Sequence, residues 1–195
     1  MRGAYIKIKD FALHIRLSFF VCAAVLAVFG HLRLFMLFVL AVASHEAAHM
    51  LTGYLLGATT KSVTVSALGM SANMRGLMFL SAKSRAAVLI AGPAASFLLA
   101  AFFSGEYRLI CLLIGIINLL PALPTDGGQL ISLAAQKLLD PPQADEAVRR
   151  ISRIAARIVI AVGFVVCVLY PFNISVVVIG LYLSHRARVD IEPNR

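Results

Sequence analysis

Six long apolar runs, separated by charged or helix-breaking residues, leave this chain few folds to choose from. They extend roughly from Leu13 to Gly30, Leu34 to Leu56, Ala86 to Phe103, Leu109 to Pro124, Ile154 to Tyr170 and Asn173 to Leu183. Apolar runs of about 17–25 residues are the length a helix needs to cross a bilayer. Composition agrees: 61% of residues are hydrophobic and 14% charged, against roughly half and a quarter in a soluble domain. The expected fold class is an all-α polytopic membrane protein with about six transmembrane helices and both termini cytoplasmic. Residues 1–195 read as one membrane domain, with a core over about 5–140 and a rear helix pair over about 150–185. The break at Asp140-Pro141-Pro142-Gln143 separates them.

The basic residues test this topology. The N-terminus carries Arg2, Lys7, Lys9 and Arg16. The second-to-third connection carries Lys61, Arg75, Lys83 and Arg85. The fourth-to-fifth connection carries Lys137, Arg149, Arg150, Arg153 and Arg157, and the tail Arg186, Arg188 and Arg195. That places 16 basic residues on one side and only Arg33 and Arg108 on the other, the asymmetry expected when Lys and Arg are retained in the cytoplasm. The same asymmetry accounts for the basic net charge without nucleic acid, for which no basic run interleaved with aromatics is present. The N-terminus lacks a small-x-small cleavage site and reads as retained. Cys22, Cys111 and Cys167 lie in apolar stretches with no C-x-x-C spacing and read as small hydrophobes. Between the second and third runs, Lys61 to Ala67 alternates and is β-branched, Leu68-Gly69-Met70 turns, and Ser71 to Met74 follows. This predicts a small β-hairpin at the cytoplasmic surface.

Among the nine acidic residues, only Glu46 and Asp126 fall within or against the apolar runs, where a carboxylate is costly and marks a functional site. Glu46 lies between His45 and His49. Histidines four apart on a helix share a face and can grip one zinc ion, leaving Glu46 beside it to take a proton from water. A third ligand is needed, with one position left for water. Asp126 is the candidate, although the N-cap of a helix continuing through Leu130, Ile131 and Leu133 also suits it. Depth favours the ligand. His45 and His49 lie ~18 and ~24 Å along the helix from Arg33, and Asp126 at most ~27 Å from Arg108, at 1.5 Å per residue. Around Asp126, Pro121, Pro124, Gly127 and Gly128 break the helix, which is tolerated at depth only where protein or water covers the backbone. His14, His31 and His185 lie near predicted interfaces and are assigned no role.

These residues resemble the site-2 protease family of intramembrane metalloproteases. His45-Glu46-Ala47-Ala48-His49 matches its H-E-x-x-H, and Asn118-Leu119-Leu120-Pro121-Ala122-Leu123-Pro124-Thr125-Asp126-Gly127 matches its N-x-x-P-x-x-P-x-D-G. Gly92-Pro93 in the third run matches a further G-P motif. The similarity covers about residues 5–185 and is greatest to the sporulation branch that processes pro-sigma-K. The resemblance implies a zinc metalloendopeptidase of regulated intramembrane proteolysis. His45, His49 and Asp126 would hold Zn2+, Glu46 would be the catalytic base, and Asn118 would orient substrate or stabilise the oxyanion. Its partners would be the lipid bilayer, a membrane-tethered protein substrate and a membrane-protein regulator, in a bacterial inner membrane. The sporulation branch usually carries a C-terminal CBS domain, which is not expected here because only about a dozen residues follow the last run, and no inserted PDZ domain is expected either. Strand edge residues Val63 and Val65 are expected to bind an unwound substrate segment. The rival readings are a catalytically silent binder of membrane segments, which intact His45, Glu46, His49 and Asp126 disfavour, and a metal transporter, for which several ligand sets along a path would be expected.

Overall fold

A computed structural model describes residues 3–8, 11–67, 69–169 and 175–189. Arg2, Lys9, Leu68, the limits set at Tyr170 and Asn173, and Arg195 lie outside the described residues, as do the side chains of Arg186 and Arg188. Contacts divide the chain into two compact units, Met1–Ile116 and Ile117–Arg195.

The first unit opens with two strands, β1 (Gly3–Ile8) and β2 (Phe11–Arg16), that run straight into helix α1 (Leu17–Val28). Helix α2 (Leu32–Leu55) returns, and strands β3 (Thr59–Ser66) and β4 (Gly69–Arg75) form the expected hairpin. The hairpin does not stand alone. β2 pairs parallel with β3, giving a four-stranded sheet in the order β1-β2-β3-β4. This corrects the reading of Leu13–Arg16 as the start of the first span: they belong to β2. Alternation explains the sheet. Cross-strand partners share a face, so Ala4, Ile6, Leu13, Ile15, Val63, Val65, Met70 and Ala72 line one side while Tyr5, Lys7, His14, Arg16, Ser62, Thr64, Ser71 and Asn73 line the other. Val63 and Val65 are buried on the apolar side, whereas the polar side stays open, the pattern of a sheet covered on one face.

Helices α3 (Ala82–Phe102) and α4 (Gly105–Asn118) complete this unit. α3 begins four residues before the apolar run because the Ser81 hydroxyl caps it, accepting from the Ser84 N–H at 3.1 Å; such caps are worth about 1 kcal/mol. Ala41, Ala100, Cys111 and Ile114 form a buried cluster joining α2, α3 and α4. Arg33 meets Glu106 at 3.2 Å, so the start of α2 and the start of α4 lie at one end, as the charge pattern required.

In the second unit, residues 119–125 form turns, and helices α5 (Asp126–Leu138), α6 (Pro141–Leu169) and α7 (Ser175–Val189) follow. α6 begins 13 residues before the predicted Ile154. Its first half carries many charges, but Ala144, Val148, Ser152, Ala155 and Ala156 are buried at helical spacing, and that stripe, not overall apolarity, makes it a helix. Ala122, Ala155, Ala156 and Leu183 form this unit's core.

Three helices are long and apolar enough to cross a membrane: Leu32–Leu55, Ala82–Phe102 and Pro141–Val168. Leu17–Val28 and Val176–His185 are shorter apolar helices, and α4 has 14 residues. About six runs are therefore helical, but only three reach full span length among the described residues. Their outward surfaces are those of a membrane protein. Ile154, Ile158, Val162 and Val165 on α6 are each about half exposed or more, an apolar stripe suited to lipid.

Candidate metal centre

His45 and His49 occupy the buried stripe of α2, in which Ala41, His45, His49 and Gly53 recur every four residues. The stripe faces α3, and their ring orientation is set there. The His49 Nδ1–H donates to the Val88 carbonyl at 2.7 Å, and His45 Nδ1 pairs with the Ser96 hydroxyl at 2.9 Å. A carbonyl only accepts, so Nδ1 of His49 holds the hydrogen, and in the neutral imidazole Nε2 is then the nitrogen able to act as a ligand. Ser96 can accept as well as donate, so His45 can take the same tautomer. The two Nε2 atoms are 3.1 Å apart. Two nitrogens bound to one tetrahedral ion at ~2.0–2.1 Å stand about 3.3–3.4 Å apart, so the pair is already close to the bite of a zinc ion.

Gly92 keeps the space beside these nitrogens clear. A methyl group there would collide with Nε2 of His49 and come within 2.7 Å of Nε2 of His45. Gly92 and Pro93 are both buried in α3, and the G-P pair reads here as the device that brings a helix backbone against two imidazole tips. Glu46, next on the same helix, is half-buried.

Asp126 is buried and is the first residue of α5. It is not the N-cap: Thr125 fills that role, its hydroxyl accepting from the Gly128 N–H at 3.3 Å and donating to the carbonyls of Leu120 and Ala122. The alternative N-cap reading of Asp126 therefore falls to Thr125, and the Asp126 carboxylate sits in the first turn, where the helix dipole favours negative charge. A Cβ on Gly128 would lie 2.5 Å from the Ala122 carbonyl carbon, and Gly127 is packed as tightly against Leu119 and Leu120. Glycine is required because α5 begins in contact with the chain segment that leads into it. That segment contains a cis Leu123–Pro124 bond and is tied to α6 through Leu123 N–H donating to Ser152 at 3.1 Å. Asn118 is the half-buried last residue of α4. Two buried imidazoles and one buried carboxylate, His45, His49 and Asp126, are a donor set that could hold a metal ion, and the set suits zinc in a catalytic site.

Ser96 and the Val88 carbonyl were not legible in sequence. Ser96 lies four residues after Gly92 but has no motif of its own; only the packing of α3 on α2 identifies it. Partners of this kind, on the far nitrogen of a ligating histidine, typically account for 10–100-fold in metal affinity. Ser96→Ala is expected to raise the zinc dissociation constant by ~10–100-fold in a competition titration with a fluorescent chelator, with the fold retained.

One expected site residue pair is placed differently. β3 is paired on both sides, so the backbone of Val63 and Val65 offers no free edge. The free edge of the hairpin is β4.

No family model matches the sequence, and no curated protein matches it. Its similarity appears among solved structures. Over 100% of its own length and 97% of the other chain, with a TM-score of 0.65 and 20% sequence identity, the protein shares the fold of the site-2 protease from Methanocaldococcus jannaschii.

Proposed function

We propose that the protein is an intramembrane zinc endopeptidase that cuts a membrane-tethered substrate in the cytoplasmic half of the bilayer and releases a regulatory protein. The observation that carries this reading is the pair of Nε2 atoms on α2, held 3.1 Å apart by Nδ1 partners on α3 with Gly92 keeping their approach open. A shared fold supports it. In this reading His45, His49 and Asp126 are the ligands, Glu46 is the base, and residues 1–195 act as one protease domain.

Zinc, when bound, would supply Lewis-acid polarisation of the scissile carbonyl and acidify its water. The chain's own residues do the rest. Glu46 accepts the proton from the attacking water as the new C–O bond forms, and delivers it to the amide nitrogen as the C–N bond breaks. Asn118 donates to the oxygen on which negative charge develops. His45 and His49 lie 12 and 16 residues beyond Arg33 on α2, ~18 and ~24 Å from the sparsely charged side, which supports cleavage nearer the basic, cytoplasmic one. A helical peptide bond is shielded by its own hydrogen-bonded ladder, so the substrate must unwind. β4, the outer strand of the hairpin, supports capture of the unwound segment by strand addition.

The test is cleavage of single-span reporter proteins by purified protein in liposomes. Cleavage should stop on chelation with 1,10-phenanthroline and return with added zinc; cleavage indifferent to chelation would sink the proposal. Met70→Pro and Ser71→Pro separate the strand-capture step. Neighbouring N–H groups in a strand point to opposite sides, so the proline that removes the outward N–H should slow cleavage while the fold survives. Equal effects of the outward proline and an alanine at the same position count against capture.

A further inference from the structure

The polar face of the sheet carries an open cavity of about 360 Å³, lined by Tyr5, His14, Arg16, Ser62 and Thr64 together with Gly3, Ala4 and Ile15. This volume falls within the ~300–1,000 Å³ typical of small-molecule sites. The lining side chains come from three adjacent strands in register: Tyr5 lies opposite His14, and His14 opposite Thr64. Tyr5 and His14 pack with ring centroids 4.7 Å apart and ring planes tilted by 49°, and form one wall. The residues that line it include an arginine, a histidine, a tyrosine, a serine and a threonine, all with side chains able to donate hydrogen bonds. None of the four strands contains an acidic residue, and Lys7 adds another cation to the same face. Such a lining suits a phosphate group: Arg provides the planar fork, and the hydroxyls supply further donors.

Where the cavity sits identifies which phosphate. Arg16 is the residue immediately before α1, and the α1 surface beyond it is apolar and open, with Leu17, Phe20, Val21 and Val25 each about half exposed. A guanidinium at the foot of a lipid-facing helix lies at the level of the headgroups. It is also on the basic side of the charge pattern, where anionic lipids attract Lys and Arg. We infer that this cavity is a binding site for the phosphate headgroup of an anionic phospholipid, with Arg16 as the charged anchor and His14, Ser62 and Thr64 as hydrogen-bonding partners. His14, without a role in the sequence, acquires one here. The site is separate from the metal centre, and the inference does not depend on the proposed proteolysis.

Native mass spectrometry of the purified full chain tests it, with phosphatidylglycerol and phosphatidylcholine of identical acyl chains as probes. Wild type should retain phosphatidylglycerol at least ~10-fold more than phosphatidylcholine, the order expected of one desolvated charge-assisted contact. Arg16→Gln should reduce that preference to near unity, and His14→Gln combined with Thr64→Val should lower it several-fold. The paired variant provides a second reading should Arg16→Gln disturb the strand-to-helix junction. Equal retention of the two lipids by wild type overturns the inference. So does a preference that survives both variants. Binding of inorganic phosphate, lost in Arg16→Gln but without any lipid preference, would also overturn it, by showing a site for a free anion.

Discussion

Glu46→Gln should leave zinc bound and nearly eliminate cleavage. The amide keeps the size of the side chain but cannot take a proton from water, and removal of a general base typically costs about 10²–10⁴ in rate. Neither Nδ1 partner of the two histidines involves Glu46, so zinc content measured by plasma mass spectrometry should stay at the wild-type value. Asp126→Ala is the contrasting case. It removes the proposed third ligand, and both zinc content and cleavage should fall. If Glu46→Gln retained wild-type cleavage, that would falsify its role as base. If Asp126→Ala kept full zinc affinity, the third ligand would have to be sought elsewhere.

The second large effect is expected at a residue with no side chain. Gly92→Ala adds one methyl group aimed at the ring nitrogens of His45 and His49. Overpacking alone costs about 1–3 kcal/mol. The imidazoles cannot simply turn aside, because the Val88 carbonyl and Ser96 hold them at their far nitrogens. Zinc affinity should therefore fall by at least ~100-fold, the equivalent of about 2.7 kcal/mol, while the helical circular dichroism signal persists. A Gly92→Ala protein with wild-type zinc affinity would show that the α3 backbone does not approach the metal as closely as this geometry requires. Together with Ser96→Ala, the variant separates two duties of α3: one position leaves room for the ion, the other orients its ligand.

Some of this was legible in the sequence because the chemistry is local. The spacing of His45 and His49 on one helix face is a property of five consecutive residues, and α2 carries them on its buried stripe. The hairpin of β3 and β4 was legible from β-branched alternation around Gly69. The strands β1 and β2 carry the same alternation, Ala4-Ile6-Ile8 against Tyr5-Lys7 and Leu13-Ile15 against His14-Arg16. Each is only six residues long, and β2 runs without a break into an apolar helix, so its apolar members merged with the span. The start of α6 was hidden by the opposite bias. Asp145, Glu146, Arg149, Arg150 and Arg153 suggest a loop when apolarity is averaged, whereas the buried Ala144, Val148 and Ser152 show a helix with one dry face. The cap at Thr125 illustrates a third limit. Thr125 and Asp126 are both good N-caps, and only the hydrogen bonds to Leu120, Ala122 and Gly128 decide between them. Ser96 and Val88 belong to a fourth class, residues defined solely by what lies across from them.

The parallel pairing of β2 with β3 also bears on how the protein is made. β2 ends at Arg16 and β3 begins at Thr59, with α1 and α2 running out and back between them. At ~5–20 residues per second, a ribosome needs several seconds to supply the partner strand after β2 emerges. During that interval the β1–β2 hairpin has no neighbour, and two strands alone are marginal in water. The out-and-back helix pair must be in place before β2 and β3 can meet on the same side. Packing of α1 against α2 thus brings the two strands to the same side, and the sheet can close only once the helix bearing His45 and His49 has been made.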